Sequence, residues 1–464
     1  MIPVMEKGII TLIKMIKSRS RRAKVMMQIL MNLSLCLAMP CISRAQIAAP
    51  DTLLTDATIE HCIKYAIRHN PDIQFAKTNE DIADAVIRSK LADWYPQLNL
   101  NYNFQHNFQL PTINFNGNLL HSGSENTSGL QVGATQNIFN RDVLLARRSS
   151  GEVRVQASQN TTLQNINIAA LVGKAFYDII LTIQQLKVTL QDIQRIELSL
   201  KDAFARYKAG ITDKTDYKRA TISLNNAKAL ERNGETSLTA KYALLKQLMA
   251  YPADKDIRLV YDTLAMSKDI YLDTLQTVNF NSRIEIQSLQ TQKKLLQYNL
   301  LYYRWSYLPN VSAFGNYNVN FQNNTFTKIY SQSYPNSYAG ITLSLPILQG
   351  GKRIQQVRQA ELQVKQVDYS LASLQNRINT QYQQALTTYK NNLNNLYTLK
   401  ENLALANEVY TIIQLQYRAG IKTYLEVINA ETDLRDAQIN YYNALYQVLS
   451  SKIDVSQALG ILAY

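Results

Sequence analysis

The sequence predicts a mainly α protein with a transmembrane β part, built as a duplicated unit of helix, strand, strand, long helix and helix. The duplication shows first in Arg206-Tyr207-Lys208-Ala209-Gly210-Ile211-Thr212. That stretch returns 210 residues later as Gln416-Tyr417-Arg418-Ala419-Gly420-Ile421-Lys422, with both tyrosines and both glycines in register. Before each copy, apolar residues recur in steps of three and four: Ile193, Ile196, Leu200, Ala203 and Tyr207 match Leu403, Ala406, Tyr410, Ile413 and Tyr417. That is the period of a helix with one buried stripe. Glycine supplies the left-handed conformation that helix ends favour, so each copy is the tip of an antiparallel helix pair. Between the helical stretches lie segments that alternate apolar and polar at every step, the period of strands with two unlike faces.

In chain order, residues 1–45 read as an export signal. Lys14, Lys17, Arg19, Arg21, Arg22 and Lys24 precede an apolar run from Val25, and Ser43-Arg44-Ala45 offers small residues for cleavage, so the mature chain starts near Gln46. A lipid anchor at Cys36 or Cys41, or a start at Met26 or Met27, are alternatives. The first repeat covers 46–250. It opens with a helix from Thr58 to Trp94, capped by Asp56 or Thr58, interrupted at Asn70-Pro71 and ended by Pro96. A strand over about 98–110 sets Leu98, Leu100, Tyr102 and Phe104 against Asn99, Asn101, Asn103 and Gln105. A polar loop leads to a second strand over about 129–139. From Arg141 to Lys208 only Gly151 and Gly173 weaken a helix, which at 1.5 Å per residue would reach about 100 Å. No compact domain holds such a helix. A returning helix spans Asp213 to Ala250, and 251–275 is a connector containing Pro252.

The second repeat, 276–464, repeats this order. A helix from Asn281 to Tyr307 stops at Pro309, and a strand covers about 310–321. After a polar loop comes a strand over about 338–349, with Ile341, Leu343, Leu345 and Ile347 on one face. Gly350-Gly351 then leads into a helix from Lys352 to Arg418, and the last helix runs from Thr423 to Leu459. Two strands per repeat are too few to close a barrel unless several chains contribute. Strands with one lipid-compatible face and one wet face suit such a shared wall, for which about 9–11 residues per strand suffice.

Composition removes other classes. Eight of the basic residues and Glu6 lie in the export signal, so half of the +14 formal charge leaves with it. The remaining Lys and Arg are scattered rather than interleaved with aromatics, which argues against nucleic acid as a partner. With Cys36 and Cys41 in the signal, Cys62 alone cannot form an intramolecular disulfide. No later stretch reads as a transmembrane helix. His61, His69, His106 and His121 do not pair at metal-ligand spacing, and there is no phosphate loop or nucleophile elbow, so no enzyme, metal or cofactor is expected.

Taken together, the duplicated helix, the proline-ended junction, the strand pair, the long helix and the Tyr-x-x-Gly tip resemble the TolC-type outer-membrane efflux proteins of Gram-negative bacteria. The resemblance covers nearly all of the mature chain and is most specific at Tyr417 to Val427, at Leu345-Pro346-Ile347 before Gly350-Gly351, and at Ala458-Leu459-Gly460. It implies a homotrimer with a shared twelve-stranded outer-membrane β-barrel, continued by a periplasmic α-helical tube, with the connector in an equatorial belt. Members with a tail beyond the point matching Tyr464 add it to that belt. The resemblance also implies an exit duct of a tripartite efflux or type I secretion system, opened by a periplasmic adaptor and an inner-membrane transporter.

By the same resemblance the adaptor docks at Ala209, Gly210 and Ile211 and at Ala419, Gly420 and Ile421. A gate lock falls on Tyr417 and Lys422, which would bond Thr215 and Asp216. Lys422 stands where an arginine is common, so a single ammonium bond replaces a bidentate fork. Glu426 matches one acidic pore ring while Asn429 occupies the second. Three mutually repelling Glu426 carboxylates should titrate above their ordinary range and favour cations. The rival reading is a non-transporting periplasmic coiled-coil scaffold or adhesin, which explains the helices and leaves the amphipathic strands without a purpose.

Overall fold

The computed structural model describes residues 56–115, 117–261 and 269–464, so the export signal with Cys36 and Cys41 lies outside the described residues. Thr58 rather than Asp56 caps α1 (Ile59–His69), its hydroxyl accepting from the His61 amide at 3.3 Å. The expected interruption separates α1 from α2 (Pro71–Ala92). The Asn70 side chain accepts from the Asp72 amide at 2.8 Å, and Pro71 starts the new helix at a position where no amide donor is needed. Asn70 also donates to the Leu248 carbonyl at 2.8 Å, which ties this corner to the far end of the repeat.

Four strands, β1 (Gln97–His106), β4 (Asn126–Phe139), β5 (Asn310–Asn323) and β6 (Ser333–Ser344), form an antiparallel sheet in the order β1-β4-β5-β6. The long loop after β1 holds its own hairpin, β2 (Thr112–Phe115) and β3 (Asn118–His121), so β1 stops at His106 instead of running to 110. The last strand is displaced from the expected 338–349. Pro346 has no amide hydrogen to donate and the strand ends before it, at Ser344. At the other end Pro335 is accommodated inside β6 because β6 is an edge strand. Leu345 and Ile347 are therefore not strand residues, and the left-handed Gly350 (φ 54°) and Gly351 (φ 82°) turn the chain into the next helix.

Two helical hairpins carry the sheet. The first is α3 (Arg141–Lys208) with α4 (Lys214–Met249), and the second is α6 (Lys352–Arg418) with α7 (Tyr424–Leu459). α3 also packs on α7, which joins the two hairpins, and α5 (Ile284–Arg304) packs on α6 and α3. One window of α3 is apolar enough to cross a membrane, contrary to the expectation from sequence. Most of that window is buried in the main core, where Val172, Phe176 and Ile179 meet Leu245, Met249, Tyr389 and Leu449.

The described parts of the connector pack on this core. Ala57 and Leu259 form a parallel bridge, the Ala57 amide donating to the Arg258 carbonyl at 2.9 Å. Tyr382 donates to the Gln276 carbonyl at 2.6 Å and Tyr389 to the Ile270 carbonyl at 2.5 Å. Thus two helix-borne phenols hold the end of the connector and the residue that follows it by their backbone.

Arg283, only 6 % exposed, closes the chain on itself. It donates to the Gln457 and Ala458 carbonyls at the end of α7, at 3.1 and 2.7 Å, and forks onto Glu285 at 2.7 and 3.0 Å. Replacing it removes a cation from two buried acceptors and leaves Glu285 without its partner. Arg283→Met should therefore cost about 3 kcal/mol, the range for losing charged hydrogen bonds. A lowered apparent melting temperature of the detergent-solubilised protein, with near-unchanged helix content by circular dichroism, is the expected result.

Candidate functional site

The strand register sorts the sheet into two faces. On one, Leu98, Ala134 and Ala339 lie in one row, Leu100, Val132 and Tyr317 in another, and Tyr102, Leu130 and Val319 in a third. On the other, Asn101, Gln131, Asn318 and Asn336 make an unbroken amide row across all four strands. Gln131 donates to Asn316 at 3.1 Å and Asn318 to Asn336 at 2.7 Å. A Cβ on Gly133 would sit 2.7 Å from Asn316 Oδ1, and one on Gly129 3.2 Å from Asn320 Oδ1, so these glycines let the asparagines of β5 lie flat over β4. None of the four strands contains Asp, Glu, Lys or Arg. The wall is therefore apolar on one side and wet but uncharged on the other.

Both hairpin tips close with the same backbone bonds. Gly210 (φ 71°) and Gly420 (φ 78°) adopt the left-handed conformation. Ile211 N–H reaches the Arg206 carbonyl at 3.0 Å, and Ile421 N–H reaches Gln416 at 2.9 Å. Gly210 and Gly420 donate to the Tyr207 and Tyr417 carbonyls at 3.0 and 2.9 Å, which completes the Schellman pattern. Ile211 and Ile421 are 69 % and 71 % exposed, so each tip presents a bare aliphatic side chain beside Ala209 or Ala419.

The surroundings of the tips differ. Tyr207 stacks on Tyr217 within the first hairpin, ring centroids 5.1 Å apart. Tyr417 is buried with Tyr424, Val427 and Ala220, with the Arg206 guanidinium 4.8 Å from its ring centre. Burial pushes both the Tyr417 and the Tyr424 phenol up. The Tyr424 hydroxyl is left without a hydrogen-bond partner, and the Tyr417 hydroxyl has Asp202 beside it.

The bonds expected of a lock are not made within the chain. Lys422 Nζ binds Glu426 Oε1 at 2.6 Å instead of Asp216, and Thr215 donates to Asp213 at 3.2 Å. The cause is local: Lys422 and Glu426 are one helical turn apart, and Glu426 is the third helical residue of α7. Its Oε2 accepts from the Thr423 amide and hydroxyl at 2.9 and 3.0 Å in a capping box. Glu426 is accordingly held down to about 2, first by Lys422 and then by the Thr423 amide. Within one chain the shift is therefore downward, whereas the expected rise concerns three carboxylates facing one another. Its contribution is present above the ordinary value of 4.5 and is lost as pH falls toward 2.

Four charged residues that the periodicity hid lie between the hairpins: Asp192 and Arg195 on α3, Glu431 and Arg435 on α7. Asp192 adjoins Ile193, and Glu431 stands between Ala430 and Leu434. Charges in or beside an apolar stripe were the available signal.

A sheet with one lipid-compatible face and one wet face, borne on helical hairpins far longer than a membrane is thick, defines a channel wall of the outer membrane. The chain belongs to the outer membrane efflux protein family, whose model matches residues 62–250 and 281–461. It is 20% identical over 410 residues to outer membrane protein TolC of Vibrio cholerae, covering 86% of this chain and 89% of that one. It is 20% identical over 268 residues to the alkaline protease secretion protein AprF of Pseudomonas aeruginosa, covering 55% and 54%. The crystal structure of VceC from Vibrio cholerae superposes with a TM-score of 0.68 at 14% identity, over 87% of this chain and 96% of that one. The protein is thus an outer-membrane exit duct of a Gram-negative bacterium, of the kind that serves efflux and type I secretion. Channels of this type are homotrimers that work with an adaptor and an inner-membrane pump.

The titration of Glu426 tests the tip geometry. Carboxylate NMR should place it near 2 in the wild type, and Lys422→Met should raise it toward 4.5. An unchanged value in the variant would show that the ammonium is not its partner.

Proposed function

We propose that three copies of this chain close the sheet into a twelve-stranded barrel and gather the hairpins into a periplasmic tube. The tube is a passive duct, opened at its tips by an adaptor and an inner-membrane transporter. The observation that carries the reading is the sheet itself: among the described residues β1 and β6 have no partner on their outer edges, while one face is mainly apolar. In lipid an unpaired strand edge costs several kcal/mol for each orphaned group, so the edges have to meet those of further copies. Four strands alternate in direction, so β6 of one copy lies antiparallel to β1 of the next.

The adaptor-docking surface we assign to Ala209, Gly210, Ile211, Ala419, Gly420 and Ile421, on the strength of two matching tips that expose an isoleucine each. Gly210→Trp and Gly420→Trp place a side chain where φ is positive and strain the tip. Each should abolish transport in a drug-susceptibility assay while leaving assembled protein in the outer membrane. Normal transport by both variants would reject the assignment.

The Tyr417 hydroxyl is buried within its own chain, so a bond from it to Thr215 or Asp216 requires the tip to rearrange first. Lys422 is already committed to Glu426, so a ring of three Glu426 carries three compensating ammonium groups. The wild-type tip should therefore be weakly selective. Lys422→Met should move the reversal potential in a salt gradient toward the cation value and introduce block by multivalent cations. Unaltered selectivity would remove Glu426 from the pore.

A further inference from the structure

The seam between the two hairpins contains buried charge that the duct does not require. Asp192 of α3 is 1 % exposed and Glu431 of α7 is 4 % exposed, and burial inside one chain cannot be relieved by adding copies. Arg195 donates to Asp192 Oδ1 at 3.0 Å. Arg435 lies 3.8 Å from Asp192 Oδ2 and donates to Asp436 Oδ1 from two nitrogens at 3.2 and 3.0 Å. The two guanidinium groups are thus matched by Asp192 and Asp436. Glu431 is left over: its one hydrogen bond comes from the Ser199 hydroxyl, at 3.2 Å.

The charged and titratable groups around Glu431 are accounted for on every helix packed there. α3 brings Asp192 and Arg195; α7 brings Arg435, Asp436 and Tyr424; α6 brings the phenol of Tyr410, which lies under Arg195 at 5.8 Å. α4 contributes Asn226 and Asn233, without charge, to a cleft of about 490 Å³ that also borders Asp192, Ile196, Glu431 and Arg435. That cleft lets water deliver or remove a proton. A carboxyl with no cation to spare, packed beside a second carboxylate, is more stable neutral than ionised.

We propose that Glu431 is a proton-binding site at the seam between the hairpins, and that loss of its proton loosens the seam and favours the open tip. The proposal rests on the reading of the hairpins as the opening end of a duct. Glu431 lies seven residues, about 10 Å along the helix, from the start of α7 at Tyr424, close enough for a parted seam to reach the tip. Burial pushes Glu431 up to about 7, the Asp192 charge adds to this, and Ser199 and Arg195 oppose it. Burial raises Asp192 as well.

The sign is set by proton counts. Once the seam parts and water reaches Glu431, its affinity returns toward the ordinary 4.5, so the packed state binds more protons than the parted one. The packed seam keeps its full advantage below about 4.5 and loses it as pH rises to about 7. Across that window the open-to-closed ratio should rise on the order of a hundredfold. Glu426 titrates near 2 and does not contribute there.

The test is open probability in planar lipid bilayers between pH 4.5 and 8, on the full assembled protein. The wild type should open more often as pH rises, with the step complete near pH 7. Glu431→Gln keeps the shape and the neutral state, so it should stay closed throughout with the step abolished. Asp192→Asn removes the neighbouring charge and should move the step to lower pH, a displacement that a merely structural role would not produce. A wild type without the step, or a step that persists in Glu431→Gln, overturns the proposal while leaving the duct intact. Should Glu431→Gln not assemble, an unmoved step in Asp192→Asn overturns it equally. Protein that conducts at no pH in any form rejects the duct reading itself.

Discussion

Two bare backbone edges set the terms for this protein. The outer edges of β1 and β6 each carry amides and carbonyls with no partner among the described residues, on a sheet with one face dominated by Leu, Val, Ala, Tyr and Phe. Water tolerates such edges and lipid does not. The amide rows on the opposite face exclude burial on both sides, so the sheet is neither the core of a globular domain nor a sandwich layer. Closure with further copies satisfies both faces and both edges together. Because the strands are continuous with α2, α3, α5 and α6, a closed ring of strands imposes a ring of helices beneath it.

The helices meet that demand through duplication with local divergence. The tips share backbone geometry, since only a left-handed residue completes the paired carbonyl bonds and both copies place glycine there. They differ at the start of the returning helix. In the first hairpin the Asp213 side chain takes the Thr215 hydroxyl and caps no backbone amide, while in the second Thr423 and Glu426 form a capping box that also takes Lys422. Tyr207 stays on the surface with Tyr217, and Tyr417 is drawn between the hairpins under Arg206. The second hairpin thus buries its tip tyrosine and carries Glu426 and Glu431, while the first brings Asp192 and Arg195 to the seam.

Much of this was legible because long-range periodicity is robust. The helices α3 and α6 begin and end where their proline-free apolar stripes do, and Asn70-Pro71 marks a break by chemistry local to two residues. The end of β6 is obscured because alternation continues through Leu345 and Ile347, while the ladder depends on a donor that Pro346 lacks. The hairpin within the first loop has little periodic signal in its two four-residue strands. At the tip, residue identity pointed to Tyr417, Lys422 and Glu426, but not to which of them pair. Lys422 and Glu426 are one turn apart in sequence, and that short-range bond forms in preference to a reach across to Asp216. Arg283 and the Asp192–Glu431 seam were hidden because their partners across the chain lie between 174 and 243 residues away, beyond any local pattern.

The claim on which the rest stands is that edges of separate copies join, and it is open to direct chemical test. Cys62 is the sole cysteine among the described residues and is buried, its thiol pushed up to about 12, so it will not compete with introduced thiols. Cysteine pairs with one member on β1 and the other on β6 can be scanned along the two strands in outer membranes under mild oxidation. Closure predicts that at least one register yields disulfide-linked dimers and trimers and nothing larger. Folded protein that forms no cross-link at any register, or ladders that continue past three copies, would contradict it.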